Sequence, residues 1–186
     1  LRAVTRDPGD WRRPEQRPAY AFLGPWGMGH GIKLWARRPT VSDNMGVGFE
    51  KEFRWLFETD ADRAYDLLRE LGVGYVLVSH DAQLVQQYVE LVHGPGQGPQ
   101  FAGRDDEGHW QAKPAYWERV AIRLVYEDGS GSGSASHRDG GLAHFRLVAE
   151  GPKPAAGQPA SRAELKCFEV VAGARLTGTF APGQRV

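Results

Sequence analysis

The sequence predicts an α/β fold, with helices packed on a mixed sheet in the first half and a β-rich, antiparallel second part. Three observations carry this reading. Gly74-Tyr-Val-Leu-Val-Ser79 is short, apolar and rich in β-branched residues, the pattern of a strand buried on both faces. Apolar residues at helical spacing stand on either side of it. After His93 the apolar residues alternate instead, and Gly, Pro and Ser cluster between the alternating runs. With 186 residues, 41% apolar and 11% aromatic, the chain can build a core.

Residues 1–18 are polar and carry Pro8, Pro14 and Pro18, so they read as an extended lead-in anchored by Trp11 alone. Ala19-Tyr-Ala-Phe-Leu23 is a short strand. Gly24-Pro-Trp-Gly-Met-Gly29 breaks it, and His30 to Arg38 follows as a short helix stopped by Pro39. Thr40-Val-Ser42 is a candidate strand. Phe49, Phe53, Leu56 and Phe57 keep helical spacing. Thr59 and Asp62 suggest a capping box for a helix with Ala61, Ala64, Leu67, Leu68 and Leu71 on one face, and Gly72 suits its C′ position. After the strand ending at Ser79, Asp81 can cap a helix carrying Leu84, Val85, Tyr88, Val89 and Val92.

Gly94 to Pro99 reads as a loop, and the polar character continues to about Pro114. Val120 to Tyr126 alternates and is assigned to a strand, followed by a flexible tip, Gly129 to Ser134. Leu142 to Ala149 is a strand, Gly151 to Ala160 a loop, and Leu165 to Val171 and Ala174 to Phe180 flank a hairpin turn at Ala172-Gly173. The expected organisation is a lead-in (1–18), an α/β core (19–117) and a β-rich part (118–186) that shares that domain or forms its own lobe.

Net charge is zero, with 23 basic and 23 acidic residues, which argues against a nucleic-acid partner. The basic residues are 18 Arg and 5 Lys, the imprint of a G+C-rich genome. A lone cysteine, Cys167, excludes an internal disulfide. No apolar run approaches the roughly 20 residues that cross a bilayer. The chain opens at Leu1 without an initiator Met, and we read it as a piece of a larger protein.

Catalytic motifs are absent: no phosphate-binding P-loop, no His-Glu-x-x-His, no Gly-x-Ser-x-Gly, no Cys-x-x-Cys. Gly27-Met-Gly-His-Gly31 is not a dinucleotide fingerprint, because Ile32 stands at the third glycine position. The six histidines show no ligand spacing, and Asp105, Asp106 and Glu107 read as solvated loop carboxylates. Cys167 beside Phe168 reads as a buried small residue. Asp81 follows the strongest strand at its C-terminal end, where α/β folds place ligand groups, and it also suits a helix cap. Trp26, set between Pro25 and Gly27 at a strand end, can stack on a ligand or cover the sheet edge; the residues alone leave both open.

Several segments in order resemble the soluble C-terminal domain of the oligosaccharyltransferase catalytic subunit of bacteria and archaea. That family carries Trp-Trp-Asp-Tyr-Gly, often followed by His and an apolar helix, and Pro25-Trp-Gly-Met-Gly-His-Gly-Ile32 occupies that slot. Ala36 to Asn44, Leu67 to Val78, Leu142 to Val148 and Leu165 to Ala174 resemble the following blocks, so the likeness runs from about Tyr20 to Gly178. It implies a domain on the extracytoplasmic, periplasmic face of the inner membrane, contributing recognition of an acceptor polypeptide through Trp26, Gly27, Met28, Gly29, His30 and Asp81. It implies that the lipid-linked oligosaccharide and a divalent metal (Mn or Mg) belong to the membrane part of a parent glycosyltransferase. This fragment would carry no cofactor and no catalytic residue. Within the motif, Pro25, Gly27 and Met28 replace the first Trp, the Asp and the Tyr. Two alternatives follow: a divergent glycosyltransferase that does not read Asn-x-Ser/Thr, or a non-enzymatic extracytoplasmic binding module.

Overall fold

The structure is a computed structural model that describes residues 1–13, 15–79, 89–90, 96, 100–129, 142–152 and 165–173. Its frame is a four-stranded mixed sheet. Strand β1 (Ala21–Leu23) runs parallel to β2 (Val73–Ser79). The two later strands of the sheet, β5 (Phe145–Glu150) and β6 (Leu165–Val170), are antiparallel, and β6 lies between β2 and β5. The predicted mixed sheet and antiparallel second part are therefore observed, and residues of both halves share one sheet.

Both faces of this sheet are covered, which is why β2 is apolar and buried from Val73 to Val78. On one face Val76, Val78 and Phe168 pack with Trp55, Leu68, Leu124 and Phe145. These come largely from helices α2 (Phe49–Leu56), α3 (Ala61–Glu70) and α5 (Val120–Glu127). On the other face, reached by the alternate residues of the same strands, Tyr75, Leu77 and Cys167 pack with Tyr20, Phe22 and Ile32. Phe22 stacks on Tyr75 at 5.3 Å, and Tyr20 meets the same ring edge-on at 5.0 Å.

Helix α3 begins one residue later than the capping-box spacing suggests. Its cap is Asp60, whose carboxylate accepts the Arg63 N–H at 2.8 Å, so Thr59 and Asp62 do not form the box. It ends as expected, with Gly72 in the left-handed region. The largest correction concerns Val120–Glu127, which is helix α5 and not a strand. Val120, Ala121, Leu124 and Val125 face the sheet core, while Ile122 packs with Val89 and Tyr116 in a separate cluster. A helix buried on two sides loses its polar face, and its short apolar run then mimics alternation. Its C-terminus is held from the sheet: Lys166, only 2% exposed, donates to the Val125 carbonyl at 2.6 Å and pairs with Asp128.

The polar stretch before Pro114 is not all loop. It forms a hairpin of β3 (Ala102–Arg104) and β4 (Trp110–Ala112), followed by the short helix α4 (Pro114–Trp117). Asp105 closes the hairpin by accepting the amides of Glu107 and His109 at 3.0 and 2.8 Å. The lead-in also packs more widely than through Trp11. Tyr20 donates to the Arg6 carbonyl, the Arg6 amide and guanidinium donate to the Tyr75 hydroxyl, and buried Arg38 donates to Thr5 Oγ1 at 2.9 Å. The helix assigned after Asp81 is described only at Val89 and Glu90. Most of the Gly94–Pro99 and Gly151–Ala160 loops, the tip after Gly129, and the strand Ala174–Phe180 lie outside the described residues.

Cys167 is 2% exposed on β6, and burial pushes its thiol up to about 12. A disulfide-forming thiol reagent should leave the folded chain unlabelled and react stoichiometrically once denaturant is added. Rapid labelling of the native chain would contradict this burial.

Candidate functional site

At the C-terminal end of β1 the chain passes through Gly24 and Pro25 into a tight 3-10 turn, Trp26–Met28, closed by the Met28 N–H to the Pro25 carbonyl at 2.7 Å. One helical turn, α1 (Gly29–Gly31), leads into a π-helical turn, Ile32–Ala36. The helix expected from His30 to Arg38 thus starts one residue earlier and ends at Ala36. Arg37 adopts φ +52°, so the reversal comes before Pro39. Thr40 bridges to Phe22 in place of the expected strand Thr40–Ser42.

Two neighbouring segments fix the turn. The first is the loop 42–48. Asn44 reaches across it, donating its amide to the Gly27 carbonyl at 2.6 Å and accepting the His30 N–H at 3.1 Å. Gly29 makes this approach sterically feasible, since a Cβ there would lie 2.5 Å from the Ser42 carbonyl oxygen and 2.6 Å from Asp43 Cα. Lys33 Nζ pairs with Asp43 at 2.6 Å, and the Met45 N–H also donates to that carboxylate. The Lys33 contact, reinforced by the Met45 amide, holds the Asp43 carboxyl below its ordinary value.

The second segment is α2, through Glu52. This carboxyl is 1% exposed on the apolar stripe of its helix. It accepts the Trp26 N–H at 3.0 Å and is joined to the Ser42 hydroxyl. Burial pushes Glu52 up to about 7 against these hydrogen bonds, which favour the charged form. The Ser42 hydroxyl also lies 3.3 Å from the Gly24 carbonyl. When Glu52 is protonated, its O–H donates to Ser42, and Ser42 donates to Gly24, so the chain of bonds is complete. When Glu52 ionises, the single Ser42 proton turns to the carboxylate and the Gly24 carbonyl loses its donor.

Among the residues singled out from the sequence, Trp26 is half-buried, Gly29 is buried, and Gly27, Met28 and His30 are exposed. The fold brings these five together; Asp81 lies outside the described residues. Sequence reasoning does not find Glu52 and Ser42 as turn supports. The available signal for Glu52 is its position three residues after Phe49 and next to Phe53, a carboxylate within an apolar stripe. Beside the turn, Gly27, Met28, Gly31, Trp35 and residues 1–3 line a groove of about 680 Å³, and Trp35 is 79% exposed. Among the described residues no three His, Cys, Asp or Glu side chains converge, so these residues do not fit a divalent metal.

No family model matches the chain, and no curated protein does. Solved structures do. The C-terminal globular domain of an oligosaccharyltransferase from Archaeoglobus fulgidus matches with a TM-score of 0.55 and 18% identity over 83% of each chain. The archaeal oligosaccharyltransferase AglB of the same organism, solved with an inhibitory peptide and a dolichol-phosphate, matches with a TM-score of 0.64 and 14% identity. That match covers 87% of this chain and 28% of the other. An Archaeoglobus fulgidus oligosaccharyltransferase tethered to an acceptor peptide with the NVT sequon matches with a TM-score of 0.60, 13% identity and coverage of 85% and 28%. The same enzyme has also been solved with zinc and sulfate. The chain therefore has the fold of the oligosaccharyltransferase C-terminal globular domain and spans under a third of the length of the larger chains.

Proposed function

We propose that this chain is the extracytoplasmic, acceptor-reading domain of an oligosaccharyltransferase-like membrane protein. The observation that carries this reading is the doubly clamped Trp26–His30 turn, set at the end of β1 beside an exposed groove. Pre-organised backbone next to an exposed aromatic surface suits an extended polypeptide. Among the structural neighbours, one structure is tethered to an acceptor peptide and another holds an inhibitory peptide. Glycan transfer, the lipid carrier and the metal would belong to the rest of the parent protein, on the periplasmic side.

The clamp holds Trp26 through its backbone N–H, so the side chain can be removed without breaking that bond. Trp26→Ala should weaken binding of an acceptor-type peptide by about tenfold or more, with a melting temperature close to that of the unsubstituted chain. A large loss of melting temperature with unchanged peptide affinity would remove the turn from recognition.

A second reading is favoured by one observation. Gly27 leaves the turn without its own carboxylate, and the two carboxylates nearby, Glu52 and Asp43, are already engaged with Ser42 and Lys33. The acceptor hydroxyl of Asn-x-Ser/Thr then lacks the usual partner, and the parent enzyme would glycosylate a different acceptor group. Mass spectrometry of glycopeptides from the host separates the two readings: attachment at Asn alone argues against the second.

A further inference from the structure

We propose that the hollow between the lead-in and the end of the π-helical turn is a binding site for a phosphate monoester, whose phosphate is held by the arginines that line it. This inference goes beyond the acceptor reading above and does not depend on it. The hollow encloses about 420 Å³, and four arginines line it: Arg2, Arg12, Arg37 and Arg38. Residues 7–12 form the facing wall, with Trp11 among them.

Contacts between the walls hold these side chains together. Trp11 Nε1–H donates to the Arg37 carbonyl at 3.3 Å, and the Arg12 guanidinium carbon lies 5.9 Å from the Trp11 ring centroid. Arg38 is 8% exposed. Its guanidinium donates to neutral oxygens only, to Thr5 Oγ1 at 2.9 Å and to the carbonyls of Thr5, Arg2, Ala36 and Arg37 at 3.3, 3.4, 3.5 and 3.2 Å. Its hydrogen bonds are complete, and its charge is not opposed by any carboxylate among the described residues. No carboxylate of those residues pairs with Arg2, Arg12 or Arg37 either, and all three are exposed to an incoming ligand. Of the two carboxylates in the lining, Asp10 is taken at 2.7 Å by Arg13, which lies outside it, and Asp7 accepts the Gly9 N–H at 3.0 Å. Arg37 adopts φ +52°, where a side chain is strained and glycine is at ease. An arginine held there against that strain points to a task for its guanidinium.

The charge of the hollow selects the ligand. With Asp10 neutralised from outside, four cations face the single carboxylate of Asp7. A monocarboxylate would leave most of that surplus unanswered, whereas a phosphate monoester carries about two negative charges above its second ionisation near pH 6. Guanidinium forks match phosphate oxygens in pairs. At about 420 Å³ the hollow has room for the phosphate and for an organic group the size of a sugar. A soluble sugar phosphate and the headgroup of a phosphatidic acid share this chemistry.

The test follows the Trp11 indole N–H of the full chain by nuclear magnetic resonance while sodium phosphate replaces sodium chloride at constant ionic strength and about pH 8. A saturable shift with a dissociation constant on the order of millimolar is expected. Glucose 6-phosphate should bind at least as tightly, and glucose should leave the resonance unmoved. Arg37→Gly removes the guanidinium from a backbone that glycine prefers, so the variant should melt no lower than the unsubstituted chain. It should bind phosphate at least about fivefold more weakly. Vesicles of phosphatidylcholine with and without phosphatidic acid identify the source of the phosphate. Cosedimentation with the acidic vesicles alone, lost in Arg37→Gly, assigns it to a lipid; a chain left in solution by both assigns it to a soluble ester. An unmoved or unsaturable Trp11 resonance, an equal shift with glucose, or equal phosphate affinity in Arg37→Gly would overturn the proposal.

Discussion

Raising the pH from about 5 to about 8 should weaken the fold by about 2.5 kcal/mol through one side chain, Glu52. Its carboxyl rises from 4.5 to about 7 on folding, chiefly through burial. Between these values the folded chain holds a proton that the unfolded chain has released. Stability is therefore greatest below the unfolded value, falls with rising pH through the interval, and levels off above about 7. The slope is about 1.4 kcal/mol per pH unit for one such group. Glu52→Gln removes the titration while keeping an acceptor for the Trp26 N–H and an amide donor toward Ser42. Denaturant unfolding of both proteins across this range checks it. The substituted chain should lose this component of the decline and be the more stable of the two at about pH 8. Parallel profiles would show that Glu52 titrates alike in both states.

Gly48→Ala should destabilise the fold by about 3 to 5 kcal/mol, whereas Gly46→Ala should cost only about 1 kcal/mol. Both glycines have positive φ, +72° and +80°. The conformational cost is thus shared, and the surroundings differ. A Cβ on Gly48 would overlap the Val41 carbonyl, while one on Gly46 meets nothing within 4 Å. Relieving the overlap means moving either Val41, whose amide bonds the Phe22 carbonyl, or the start of α2. Thermal melts of the two variants make a matched comparison. Similar losses in both would show that the 42–48 loop gives way easily and does not brace the turn.

Much of the frame is legible in the sequence because its signals are local. Gly74–Ser79 announces β2, the stripe from Ala61 to Leu71 announces α3, and Trp26 among glycines announces the turn. Val120–Tyr126 reads as a strand because its burial is two-sided, and a short run that is apolar on both sides carries no clear period. The hairpin of β3 and β4 escapes sequence reading because its strands are three residues long; its one strong signal is the Asp105 turn closing at Gly108, with φ +83°. The partners of the turn are illegible for a different reason. Glu52 and Ser42 reach it from sequence separations of 26 and 18, and only the tertiary fold says which buried carboxylate a turn amide will find.

The segment that braces the turn also seals the sheet. Beyond β1 the Phe22 N–H bonds the Pro39 carbonyl at 2.7 Å, and the Val41 N–H bonds the Phe22 carbonyl at 2.8 Å. Without residues 39–41 a parallel strand with β-branched neighbours would present a free row of donors and acceptors to any other chain. Ser42 and Asp43 follow directly in sequence. Loosening the Trp26–His30 turn enough to release this segment would therefore uncover a sticky border, so the brace doubles as protection against edge-to-edge aggregation.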